Sequence, residues 1–246
     1  VFLGACFFDA SRNKPTMRLK PSAIVLVVTS ALVTACGQPR ARPQAAQTNS
    51  MSQPQSLPHA LTIHTTISEG HLFVPATVNG NRAGMFMLDT GSSLTVIGQG
   101  TAERMSLPES GSGTAMGIGG PEKFSYRVIE SIAIGDLTLT ESRLACLSLI
   151  RFRRPVGIAV NGVIGFPALK RVPFTVDQQA ATLTVYSPDS FRPPEDAHAE
   201  RLSTGGGIPS ILARVGNDHQ VRLILDTGDM AHLMLPRWCL DQWPDI

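Results

Sequence analysis

Phe86-Met87-Leu88-Asp89-Thr90-Gly91 and Leu223-Ile224-Leu225-Asp226-Thr227-Gly228 are two copies of one pattern: an apolar run that ends in Asp-Thr-Gly. A lone Asp-Thr-Gly is a weak sign, since a given tripeptide recurs about once in several thousand positions at ordinary residue usage. Here each copy closes the same series of strand, turn and strand. Residues 71–78, Asn79-Gly80-Asn81 and the apolar run 84–88 lead to Asp89. Residues 208–215, Gly216-Asn217-Asp218 and 221–225 lead to Asp226. A short apolar run follows each loop, at 94–97 and at 233–235, and both read as strands. Such an internal repeat carries more weight than either motif alone.

The chemistry follows from the residue types. An Asp at the end of a buried strand emerges into a tight turn. Gly permits the turn and the close approach of a second backbone. Thr offers a hydroxyl to the facing loop. Two such loops face to face bring two carboxylates within a few ångströms, where both cannot easily ionise, so the pair shares one proton. One member then serves as general base toward water and the other as general acid toward a carbonyl. The protonation steps belong to the pair.

The rest of the chain supports a turn-rich β protein. Period-two alternation and β-branched residues mark strands at 61–67, 71–78, 126–134, 137–139, 174–177 and 182–186. One short helix is expected at 167–171, closed by Pro173. Apolar residues make up 43% and charged residues 16% of the 246, which excludes a disordered chain or a coiled coil. Aromatics are scarce while Gly (22) and Pro (18) are frequent, which suits short strands and turns.

With these residues in place, the chain resembles the retropepsin/pepsin-like aspartic proteases, in particular bacterial tandem-lobe members. Asp89-Thr90-Gly91-Ser92-Ser93 matches the family's catalytic loop. Asn161-Gly162-Val163-Ile164-Gly165 matches its apolar-apolar-Gly strand, and Phe166-Pro167-Ala168-Leu169 the short helix that follows. Residues 174–177 and 181–185 resemble the closing hairpin. Ala115-Met116-Gly117-Ile118-Gly119-Gly120 sits where the family has its flap, so Gly117, Ile118, Gly119 and Gly120 are expected to touch substrate. The resemblance implies an all-β, closed β-barrel lobe with one short helix. It also implies hydrolysis of peptide bonds by water activated between Asp89 and Asp226, with no cofactor and no metal. Thr90, Gly91, Ser92, Thr227 and Gly228 are then the supports of the catalytic loops, Ser92 through its hydroxyl on Asp89.

The second copy departs from the family. Asp229 follows its Gly where a hydroxyl residue is usual, and no second flap or apolar-apolar-Gly strand follows. The expected organisation is a complete retropepsin-like lobe at 59–188, a linker at 189–206 and an incomplete second lobe at 207–246. Two other readings stay open. Two copies of the first lobe could pair as a homodimer, each supplying Asp89, or the protein is a non-catalytic envelope binding module that keeps the fold.

The N-terminus reads as a targeting segment. Met17-Arg18-Leu19-Lys20 is a cationic start, and the apolar run 23–33 is too short to span a bilayer, which needs about 20 residues. Leu32-Val33-Thr34-Ala35-Cys36 resembles a bacterial lipobox, with Cys36 the lipidated residue. Residues 1–35 are therefore expected to be a signal peptide, with 1–16 a start-site overcall. Residues 36–58 are expected to be a disordered tether, because Gln, Pro, Ser and Ala cannot bury enough surface to fold. The expected location is the bacterial cell envelope, lipid-anchored at the periplasmic face of the outer membrane. Without residues 1–35 the net charge moves from +2 to −1, with 17 basic and 18 acidic residues. Neither value argues for nucleic acid. The remaining partners are a polypeptide substrate and the membrane.

Other motifs carry less. Cys146 and Cys239 read as buried free thiols. Histidines 59, 64, 71, 198, 219 and 232 lack metal-ligand spacing and read as surface or turn residues. Glycine-rich 111–120 and 205–207 lack the Lys-Ser/Thr ending of a phosphate loop. Arg151, Arg153 and Arg154 read as a solvated loop.

Overall fold

The computed structural model describes residues 24–26, 59–117, 120–139, 141–150, 157–195, 197, 199–229, 233–235 and 237–243. The described chain is mostly β, with short helices at Gln99–Arg104, Phe166–Leu169 and Arg237–Gln242.

The main sheet has ten strands. Its centre is built from the strands that carry the first loop. His71–Val78 and Asn81–Asp89 form an antiparallel hairpin. Asn79 (φ 48°) and Gly80 (φ 73°) are both left-handed, as the tight primed turn between twisted strands requires. The Asn79 side chain also accepts the amides of Glu130 (2.8 Å) and Ser131 (3.3 Å), tying a distant segment to the turn. Val160–Gly165 runs parallel to Asn81–Asp89 with Gly165 opposite Asp89. Its other edge pairs antiparallel with Val96–Gly98. Arg143–Leu147 continues the sheet, followed by the hairpin Gly120–Val128 and Glu109–Gly117, the latter at the edge. Ile132–Ile134 and Leu137–Leu139 extend the opposite side.

A second sheet holds Phe174–Asp177, Thr182–Tyr186 and Ala60–His64. Between the two sheets lies the larger core, with Leu72, Phe86, Ile97, Ile164, Phe166 and Leu183 fully buried. Each such side chain contributes about 1.5–3 kcal/mol by burial. Phe73, Met87, Val96 and Phe124 make a smaller core on the other face. The second copy folds as the hairpin Ser210–Val215 and His219–Ile224. It is seated on the first lobe: Leu225 is part of the larger core, and Leu202 and Ile211 pack against it.

Several elements differ from the sequence expectation. The run 61–67 breaks at Thr65 into Ala60–His64 and Thr66–Ser68, which join different sheets. The run 126–134 breaks where Asn79 captures Glu130 and Ser131. The helix Gln99–Arg104 and the strand Arg143–Leu147 are not among the expected elements, so the described residues of the lobe form two short helices. Residues 233–235 are not a strand; Leu233 and Met234 are exposed, and an apolar run becomes a strand only beside a partner. The segment after Tyr186 packs back on the lobe through Phe191, which is buried edge-on to Tyr186 at 5.1 Å. Cys146 and Cys239 are buried free thiols.

Of the signal segment and tether, Ile24–Leu26 is described. It pairs antiparallel with Phe174–Val176. Cys36 and the rest of 1–58, and Arg151, Arg153 and Arg154, lie outside the described residues.

Candidate active site

The strand Asn81–Asp89 delivers Asp89 to the sheet end, and His219–Ile224 delivers Asp226 two residues past its own end. The loops interlock through their threonines. The Thr90 amide donates to Thr227 Oγ1 and the Thr227 amide to Thr90 Oγ1, each at 3.0 Å. Thr90 Oγ1 donates onward to the Leu225 carbonyl (2.6 Å) and Thr227 Oγ1 to the Leu88 carbonyl (2.9 Å). Each hydroxyl thus accepts one bond and donates one across the junction, which satisfies groups buried there.

This lock sets each glycine against the opposite acid. A Cβ on Gly91 would run into the Asp226 carboxyl group, and one on Gly228 would come within 2.5 Å of Asp89 Cγ. Only glycine leaves room for the two carboxyls to meet.

Asp89 and Asp226 hydrogen-bond through their side chains. Burial, then the nearby Asp226 charge and that bond, push Asp89 up to about 7 from an ordinary 3.8. The Ser92 and Gly91 amides donate to the Asp89 carboxylate and pull the other way. The Gly228 amide donates to Asp226 Oδ1 at 2.7 Å. The arrangement is a carboxyl pair that holds one proton across the range where isolated carboxylates have lost theirs.

The support expected from the Ser92 hydroxyl takes a different form. Ser92 Oγ donates to the Leu94 carbonyl at 2.8 Å, closing a local turn, so Ser92 reaches Asp89 by its amide instead. Gly117 and Gly120 pair at the end of the hairpin on the sheet edge, beside Met116, which is 79% exposed. Ile118 and Gly119 lie outside the described residues.

Histidine 71, expected at the surface, is buried. Its Nε2 lies 3.0 Å from the Gly228 carbonyl. The signal that could have located it is the alignment of the two copies: it begins a strand otherwise apolar at its inward positions. His219 stacks on Trp243 with ring centres 4.6 Å apart, away from the dyad loops in sequence and on the far end of its hairpin.

A family model described as Aspartyl protease matches residues 74–168, a range that contains Asp89 and not Asp226. Among solved structures, a retropepsin-like aspartic protease from Rickettsia conorii is similar at 19% identity, over 56% of this chain and 97% of that chain, with a TM-score of 0.40. No curated protein matches the chain.

Proposed function

We propose that the protein is an aspartic-type endopeptidase whose dyad is Asp89 and Asp226 of one chain, a reading supported by the match of residues 74–168 to the Aspartyl protease family model. The supporting observation is the reciprocal Thr90–Thr227 lock, which holds both acids in contact without a second copy.

Water bound between the carboxyls attacks the carbonyl carbon of a peptide bond. The pair holds one proton between its two carboxyls, so one member protonates the carbonyl oxygen while the other, ionised, takes a proton from water. That proton then goes to the amide nitrogen as the C–N bond breaks. The substrate class is polypeptide, bound under the hairpin that ends at Gly117 and Gly120. The lipobox-like motif supports a lipid anchor at Cys36, with the domain tethered at the periplasmic face of the outer membrane. Cys36→Ser abolishing incorporation of labelled fatty acid is the test of that part.

Cleavage of an unfolded protein tests the chemistry. Asp89→Asn and Asp226→Asn should each lower kcat about a thousandfold, the middle of the range for a general acid or base. Full activity in Asp226→Asn would assign the dyad to two Asp89 residues in a homodimer. A wild type without cleavage between pH 3 and 7 would favour a binding module.

A further inference from the structure

The two loops exchange matching bonds through Thr90 and Thr227, but one contact breaks the symmetry. Phe73 pairs with Met87, two residues before Asp89, and Ser210 pairs with Ile224, two residues before Asp226. Phe73 and Ser210 are therefore equivalent by register, which makes Ile208 the counterpart of His71. The isoleucine side chain has no donor, so Ile208 cannot give the first loop a counterpart of the side-chain bond that His71 makes to Gly228.

A carbonyl oxygen only accepts, so the bond at 3.0 Å requires the hydrogen on Nε2 of His71. Its Nδ1 is buried with no hydrogen-bond partner. An unsatisfied buried nitrogen costs free energy that a leucine of similar size would avoid. A histidine held under that cost points to a use other than packing.

The supports of the two loops explain that use. The Asp89 loop is braced inside its own lobe by the parallel strand Val160–Gly165 and by the Phe166 amide on the Ser92 carbonyl (2.9 Å). Among the described residues, no strand runs alongside the end of His219–Ile224 in that way. The loop of Asp226 is held by the threonine lock, by Leu225 on Pro209, and by His71.

The geometry points to His71 as a positioning residue of the Asp226 loop: its Nε2–H holds the Gly228 carbonyl, keeping Gly228 against Asp89 and its amide aimed at Asp226. The inference rests on the dyad read as a peptidase centre. The strut is supplied by the first lobe to the second, so the two acids are supported unequally.

His71→Leu in the full chain removes the donor and keeps the bulk. It should lower kcat about 10- to 100-fold with KM within about twofold, as expected for a small misplacement of a reacting group. His71→Asn, too short to reach Gly228, should behave alike. His71→Gln keeps an N–H of similar reach and should recover kcat to within about threefold of wild type. Unchanged kcat in His71→Leu, or equal losses in His71→Leu and His71→Gln, overturns the role. Carbon-13 titration of the Asp89 carboxyl provides a readout without turnover. In His71→Leu its midpoint should fall by about one pH unit or more as Asp226 drifts away, and an unchanged midpoint also overturns the role. A wild type that cleaves nothing would end the peptidase reading and leave this titration to decide on His71.

Discussion

Thr90 and Thr227 hold each other by two reciprocal amide-to-hydroxyl bonds of 3.0 Å, although 137 residues separate them in the chain. Each hydroxyl then continues into the opposite strand end, at Leu225 and at Leu88. The second hairpin is thereby fixed to the first lobe at the place where chemistry is expected.

Thr90→Val keeps shape and removes the hydroxyl. It strands the Thr227 amide and the Leu225 carbonyl at a site where Thr90 is 2% exposed. Each unsatisfied group costs about 1–3 kcal/mol, so urea unfolding should show a loss of about 2–6 kcal/mol for the two. The double variant with Thr227→Val should lose less than the sum of the single losses, because the two hydroxyls share one junction.

Gly228→Ala places a methyl group against the Asp89 carboxyl. The acids must part to admit it, so kcat should fall about a hundredfold or more, the scale of a 1 Å misplacement. Circular dichroism should remain that of the wild type, since Gly228 lies in a loop outside the strands.

Activity should have an alkaline limb near pH 7. The pair loses its shared proton there, and with it the general acid. Above that pH, log kcat/KM should fall with a slope of about −1, read from initial rates in a buffer series. A limb near pH 4 would mean that burial and the Asp226 charge do not raise Asp89.

Stability should decline over the same range. Asp89 binds its proton more tightly when folded (about 7) than at its ordinary value of 3.8. Between these values the native state carries more proton than the unfolded state. The contribution is therefore full below 3.8 and is lost as pH rises through 7, by at most about 1.4 kcal/mol per pH unit. Asp89→Asn should flatten the dependence in chemical denaturation at pH 4, 5, 6 and 7.

Much of the lobe was legible because its signals are local. Alternation marked His71–Val78 and Thr182–Tyr186, and Asn79-Gly80 marked the turn between the strands that carry Asp89. Where a segment's fate depends on a remote partner, the local pattern failed. Leu233 and Met234 have the composition of a strand, yet they stay exposed and pair with no strand among the described residues. Arg143–Leu147 is a strand because Val96–Gly98 and Gly120–Val128 flank it, which its own residues do not announce.

The two Asp-Thr-Gly loops, their equivalence and the chemistry open to a carboxyl pair were all readable from the residues alone, because repetition and residue type are properties of the chain before it folds. The inequality of the loops arose on folding. It turned the Ser92 hydroxyl to Leu94, buried His71 and gave its one bond to Gly228, 157 residues away. Such contacts depend on strand register and on the desolvation of groups brought together from distant parts of the chain, and neither is written in any local stretch of residues.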